Sequence, residues 1–184
     1  KGYQVLSFDL PQHGDRKNND YRCDIFNGIH DCKVIKEYVD LHWQNVYLFG
    51  CSLGACLSLY TYSNQNIKKC LFQSPIVNME ALIENMFIWF DISKQQLEKE
   101  KEIKTPIDIL SWDYYCFIKE HPITEWKIPT QILYGALDNL QSRDVIDTFC
   151  NKFGCQITIA TNSEHPFLAE DDKKILREWF SQNI

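Results

Sequence analysis

Apolar residues along this chain fall into two alternating patterns. One is the short run of strand formers bounded by turn residues; the other is the stripe repeating every three and four residues. Runs at Lys1–Leu10, Val46–Phe49, Lys69–Gln73 and Pro129–Gly135 predict strands, and the alternation of Cys155, Ile157 and Ile159 predicts a last one. Val46–Phe49 is apolar at every position, as a strand buried on both faces inside a parallel sheet would be. Stripes predict helices. Ile25, Ile29, Cys32, Ile35 and Val39 mark one that ends near Leu41; Ala55, Cys56, Leu57 and Leu59 mark a buried one. Val145, Ile146, Phe149 and Phe153 follow the capping residue Ser142. The final helix has Glu170, Asp171 and Asp172 in its first turn and Ile175, Leu176, Trp179 and Phe180 to bury. Strands alternating with helices predict a mostly parallel α/β sheet flanked by helices, with ligands at the C-terminal strand ends.

Residues 76–126 interrupt the alternation. Met79, Leu82, Ile83, Met86, Phe87 and Phe90 predict one helix. Ser93-x-x-Gln96 resembles a capping box opening a charged helix from Lys94 to Lys104. Thr105-Pro106, with Asp108 following, predicts a third whose stripe is Ile107, Leu110, Tyr114 and Phe117. The expected organisation is a core of residues 1–75 and 127–184 carrying a small helical lid, 76–126. The aromatic residues Phe87, Trp89, Phe90, Trp112, Tyr114 and Tyr115 either line a pocket or pack the lid onto the core.

The 184 residues suffice for one continuous core. A net charge of −6 without a basic cluster argues against nucleic acid and against an anionic membrane as partner. No run is long enough to span a bilayer and no signal-peptide pattern opens the chain. Eight scattered cysteines, none in a Cys-x-x-Cys pair, read as small hydrophobes of a reducing cytoplasm; no metal site and no cofactor is expected.

The candidate chemistry centres on Gly50-Cys51-Ser52-Leu53-Gly54, between a predicted strand and a predicted helix. A strand turning directly into a helix strains the corner residue, and small residues two positions away on each side give the chain room to pass itself. Ser52 would then project its hydroxyl above the sheet edge, while Cys51 points into the core. The helix opening at Leu53 directs free N–H groups toward the same spot, which suits a developing oxyanion. Asp138 follows the Pro129–Gly135 strand and His165 follows the last strand, so all three lie at C-terminal strand ends. The other histidines read otherwise: His30 and His42 are solvated, His121 belongs to the lid, and His13 is a turn residue. Among the acids, Asp9 stabilises a turn, Asp144 sits in a helix first turn, and Asp108 and Asp113 lie in the lid.

Gly50-Cys51-Ser52-Leu53-Gly54-Ala55, Tyr134-Gly135-Ala136-Leu137-Asp138 and Ser163-Glu164-His165-Pro166-Phe167 resemble, in order, the three catalytic segments of the α/β-hydrolase superfamily. Phe8-Asp9-Leu10-Pro11-Gln12-His13-Gly14 resembles the Asp-x-Pro-Gly-His-Gly turn of its esterase, lipase and serine-aminopeptidase-like members, with Gln12 where a glycine is usual. The resemblance covers essentially the whole chain. It implies a Ser-His-Asp mechanism with Ser52 as nucleophile, His165 as base, Asp138 as the acid orienting it, and the Leu53 N–H as an oxyanion donor. The expected activity is cleavage of a small-molecule carboxylic ester in the cytoplasm, and a homo-oligomer stays open. The competing readings are an aminopeptidase-like amide hydrolase, with Glu80 and Glu84 to hold a substrate amine, and a hydrolase-fold binding protein without turnover.

The resemblance carries one further expectation. In the family, strands precede the one matching Val5–Leu10, and a loop after the nearest of them supplies a second oxyanion donor. That strand lies between the counterparts of Val5–Leu10 and Val46–Phe49. Either a segment upstream of Lys1, a partner chain or altered pairing is expected to fill its place.

Overall fold

The computed structural model describes residues 2–184. Its main sheet has four parallel strands: β1 (Tyr47–Cys51), β2 (Lys69–Gln73), β5 (Thr130–Gly135) and β6 (Gln156–Ala160), adjacent in that order. Alternation along the central strands sorts their side chains between the two faces. Cys70, Phe72, Ile132 and Tyr134 join one cluster, packed with α1 (Ile25–His42), α2 (Leu53–Tyr62) and α6 (Arg143–Phe153). Leu71 and Leu133 join the other, under α7 (Glu170–Asn183) with Trp179. Phe72, Ile132 and Leu133 are fully buried. Each such side chain contributes about 1.5–3 kcal/mol to folding.

Helix starts follow local chemistry. The Asp24 carboxylate accepts from the Asn27 N–H at 2.8 Å and opens α1. Ser142 opens α6 by accepting from the Val145 N–H. On α7 the half-buried Ile175, Leu176 and Phe180 pack around buried Trp179, and on α1 Ile25 and Cys32 go into the core.

The N-terminal stretch departs from expectation. Lys1 lies outside the described residues, and residues 2–10, read as a strand, take no strand conformation. A strand exists only where a neighbour supplies ladder hydrogen bonds; here Tyr3 merely stacks edge-on against Tyr47, and Val5 is 89% exposed. β1 therefore forms one edge of the sheet. It is not buried on both faces: Tyr47, Phe49 and Cys51 are exposed, although the Phe49 ring rests against Phe180. No altered pairing fills the place beside β1 among the described residues.

The segment between β2 and β5 is only partly as expected. α3 (Met79–Trp89) opens at Asn78, whose side chain accepts from the Ala81 N–H. α4 runs over Lys94–Glu100 and stops short of Lys104. Ser93 caps it by accepting from the Gln96 N–H, but the Gln96 amide bonds forward to Glu100, so only half a capping box forms. Glu102–Lys104 (β3) pairs antiparallel with Ile109–Ser111 (β4) in place of the expected helix. Thr105 and Asp108, read as a helix start, close the turn of this hairpin: the Thr105 hydroxyl oxygen accepts from the N–H groups of Ile107 and Asp108. The same side-chain-to-backbone bond serves a cap or a turn, and Ile103, Ile107 and Ile109 favour extended chain on either side. The third helix, α5 (Trp112–Glu120), begins only after Ser111. Leu82, Leu97, Leu110 and Tyr115 from this segment belong to the same cluster as the sheet.

Candidate active site

At the end of β1 the chain turns into α2 through Ser52, whose φ of 49° and ψ of −117° are costly for a residue with a Cβ. The turn is held from several sides. The Ser52 N–H donates to the Gln73 carbonyl on β2 at 3.1 Å, and its own carbonyl accepts from Ala55, Cys56 and Ile76. Gly50 has the close approach its position suggests: a Cβ there would stand 2.9 Å from the Ala55 Cα. Gly54 does not. A Cβ at Gly54 would meet no atom within 4 Å, so the elbow needs only the first of its two glycines for space. Cys51 corrects another expectation, since as an edge residue it is exposed rather than turned into the core.

The three candidate residues meet. His165 Nε2 lies 2.7 Å from Ser52 Oγ, and His165 Nδ1 lies 2.7 Å from Asp138 Oδ2. The Asp138 side chain is fully buried and that of His165 is 11% exposed. With its Nδ1 proton directed to Asp138, the imidazole presents Nε2 as an acceptor to the serine hydroxyl. Asp138 is itself held: its Oδ1 accepts from the N–H groups of Leu140 at 2.8 Å and Gln141 at 3.3 Å. Among the described residues no group accepts the Leu53 N–H, which opens α2 beside Ser52.

The remaining histidines are engaged elsewhere or exposed. His13, His42 and His121 each place Nδ1 against a nearby carbonyl, of Pro11, Tyr38 and Phe117. Asp9 accepts from the Asp15 N–H and braces its turn, in which Gln12 adopts a φ of 58°. The turn thus keeps a left-handed residue without the glycine that would make it cheap. Phe87 and Trp112 pack on Tyr115, and Phe90 and Tyr114 lie against the core, so these aromatics attach the segment to the sheet, whereas Trp89 is 44% exposed. Glu80 is ion-paired with Lys119, and Glu84 accepts from the Tyr115 hydroxyl. Among the described residues no cluster of histidine, cysteine, aspartate or glutamate could hold a metal ion, and no helix is long and apolar enough to cross a membrane.

Sequence reasoning passed over the residues that hold the site. Gln141 is 1% exposed; its Oε1 accepts from the N–H groups of Val77 and Asn78, tying the Asp138 loop to the chain after β2. Ser163 and Asp172 are buried together, with Ser163 Oγ donating to Asp172 Oδ1. In the sequence Asp172 reads only as a first-turn acid. Buried polar side chains become visible once their distant partners are known. In sequence, the sole signal was their nearness to Asp138 and His165.

A parallel sheet whose β1 turns through a strained serine into a helix, with an aspartate after β5 and a histidine after β6 converging on that serine, is the α/β-hydrolase fold. Solved structures agree. The fold is similar to that of a putative hydrolase from Agrobacterium vitis, with a TM-score of 0.76 and 15% identity over 96% of this chain and 74% of that one. It is also similar to α/β-hydrolase domain-containing protein 10 from mouse, with a TM-score of 0.69 and 14% identity over 89% of this chain and 70% of that one. Est1E from Butyrivibrio proteoclasticus, solved with ferulic acid bound, gives a TM-score of 0.66 and 14% identity over 94% of this chain and 76% of that one. No protein-family model matches the sequence, and no curated protein matches it. At such identities the likeness is one of fold.

Proposed function

We propose that this protein is a serine hydrolase that cleaves small carboxylic esters through an acyl-enzyme. The observation that carries the reading is the unbroken chain Ser52 Oγ–His165 Nε2 and His165 Nδ1–Asp138 Oδ2, both links at 2.7 Å. A serine hydroxyl is a poor nucleophile at neutral pH and needs a base within hydrogen-bond reach. In the proposed first step Ser52 Oγ bonds to the substrate carbonyl carbon as His165 Nε2 takes the hydroxyl proton. The carbonyl π electrons move to oxygen, where the Leu53 N–H donates to the new oxyanion. Collapse of this intermediate breaks the bond to the alkoxy oxygen, which leaves as an alcohol with the proton from His165. Water then repeats the sequence on the acyl-Ser52 ester and releases the acid. Asp138 fixes the imidazole tautomer and stabilises the imidazolium throughout.

One structural neighbour, the Pyrococcus furiosus protein Pf2001, is described as an esterase, which favours an ester substrate. The amide reading has less support: Glu80 and Glu84, the acids it would use, already hold Lys119 and Tyr115. Residues 76–126 are proposed as the lid, and the buried free thiols of Cys32, Cys56, Cys70 and Cys150 suit a reducing compartment such as the cytoplasm. Fluorophosphonate labelling followed by peptide mapping tests the reading. An adduct on Ser52 in the wild type, lost in Ser52→Ala and strongly slowed in His165→Ala, is the expected result. Absence of any wild-type adduct would refute it and leave the binding-protein reading. Triad members act as a unit, so Ser52→Ala combined with His165→Ala is expected to be little worse than either alone in ester turnover.

A further inference from the structure

We infer that Ser163 and Asp172 are positioning residues, a buried clamp that sets the acid and the base of the relay against each other. The inference rests on the hydrolase reading of Ser52, Asp138 and His165. Ser163 is 1% exposed and bonded through every polar group it has. Its N–H donates to the Ala160 carbonyl at the end of β6 at 3.3 Å. Its carbonyl accepts from the Leu137 N–H at 3.0 Å, one residue before Asp138. Its hydroxyl, on the residue two before His165, donates at 2.5 Å to Asp172 Oδ1, seven residues after His165. One residue therefore touches the strand end, the acid loop and the first turn of α7 at once.

Asp172 is the other half. It is 6% exposed, and no cation pairs with it among the described residues. Its second oxygen accepts from the Ala169 N–H at 3.0 Å. A buried carboxylate without a cation is a costly choice for stability alone. What a carboxylate offers here is an acceptor on both oxygens. Two donors converge on it, the Ser163 hydroxyl and the Ala169 N–H, from the two ends of the loop that carries His165. Phe167 adds an apolar anchor to that loop, 5% exposed within the cluster under α7. The His165 ring, 2.7 Å from both its partners, is thus held by a loop fastened before and after it.

Ser163→Ala removes only the hydroxyl and is the primary test, with Asp172→Ala as the second variant. Three readouts are taken on the full chain: kcat and KM on a nitrophenyl ester, urea unfolding, and the downfield proton resonance of a carboxylate-bound imidazole N–H, assigned by its loss in His165→Ala. A clamp predicts that kcat falls about tenfold in either variant with KM within twofold, since small displacements of reacting groups cost rate steeply. It also predicts that the double variant is little worse than either single one, and that the imidazole resonance shifts or broadens in Ser163→Ala. Lowered stability with unchanged kcat and an unchanged resonance would make the pair merely structural and overturn the inference. If the wild type neither turns over esters nor labels at Ser52, the hydrolase reading fails separately. The clamp is then judged on the resonance alone: a shift in Ser163→Ala supports it, and none overturns it.

Discussion

Gly135 ends β5 at the point where the His165 loop passes over it, and Gly135→Ala tests how rigidly the site is built. A Cβ at this position would lie 2.4 Å from the Ser163 carbonyl oxygen and 2.9 Å from that of Glu164. Ordinary contact begins near 3.4 Å, so one side must retreat by about 1 Å. Both obstacles are backbone atoms, so no side chain can swing away. β5 is paired on both edges and cannot yield, whereas the loop can. Carried fully to the imidazole, a 1 Å retreat would lengthen the 2.7 Å contact between His165 Nε2 and Ser52 Oγ to about 3.7 Å, beyond hydrogen-bond range. Misplacement of this size costs about 10²-fold in rate, and crowding of this kind costs about 1–3 kcal/mol in stability. The assay is kcat/KM on a short-chain nitrophenyl ester beside the rate of Ser52 labelling by a fluorophosphonate, with urea unfolding to confirm a folded variant. A folded Gly135→Ala protein that labels and turns over within twofold of wild type would refute the reasoning: either the loop is not held against the strand end, or the relay is not the machinery.

Leu97 is the only buried residue of α4 and is fully buried; Leu97→Ala is expected to cost about 2–5 kcal/mol and to speed hydrogen exchange across 94–100 far more than in β2. Gln12 combines a φ of 58° with a bond from the Cys23 N–H to its side chain. Both Gln12→Ala and Gln12→Gly lose that bond, but only glycine relieves the backbone, so urea midpoints are expected to place Gln12→Gly above Gln12→Ala by about 1 kcal/mol. Burial pushes the Cys56 thiol up to about 12. The folded protein keeps that proton after the unfolded chain, near 8.5, has lost it, so the stability it contributes is intact at neutral pH and declines as pH rises toward 12. At pH 10 the decline from this one thiol is about 1–2 kcal/mol, and Cys56→Ala should lose correspondingly less stability between pH 7 and pH 10 in urea titrations.

The sequence by itself determined what neighbouring residues can settle. The stripe from Ile25 to Val39, the runs at Lys69–Gln73 and Pro129–Gly135, and the caps at Ser93 and Ser142 each carry their cause within a few residues, and all appear in the structure. So does the elbow, because Gly50 and Ser52 meet their constraint within one turn. The order of Ser52, Asp138 and His165 at C-terminal strand ends was legible for the same reason: a parallel sheet delivers such loops to one edge. Only the tertiary structure decided the rest. Whether Val5–Leu10 is a strand depends on a partner that pairs with it, and the pattern of its side chains is silent on that. Thr105 and Asp108 can begin a helix or close a hairpin, and the pairing of Ile103 with Leu110 chose the hairpin. Gln141 acts across 63 residues on Asn78, and Asp172 turns inward to a serine nine residues back. Such bonds have no period and no local signature, because they exist only where the fold brings a donor to a buried acceptor.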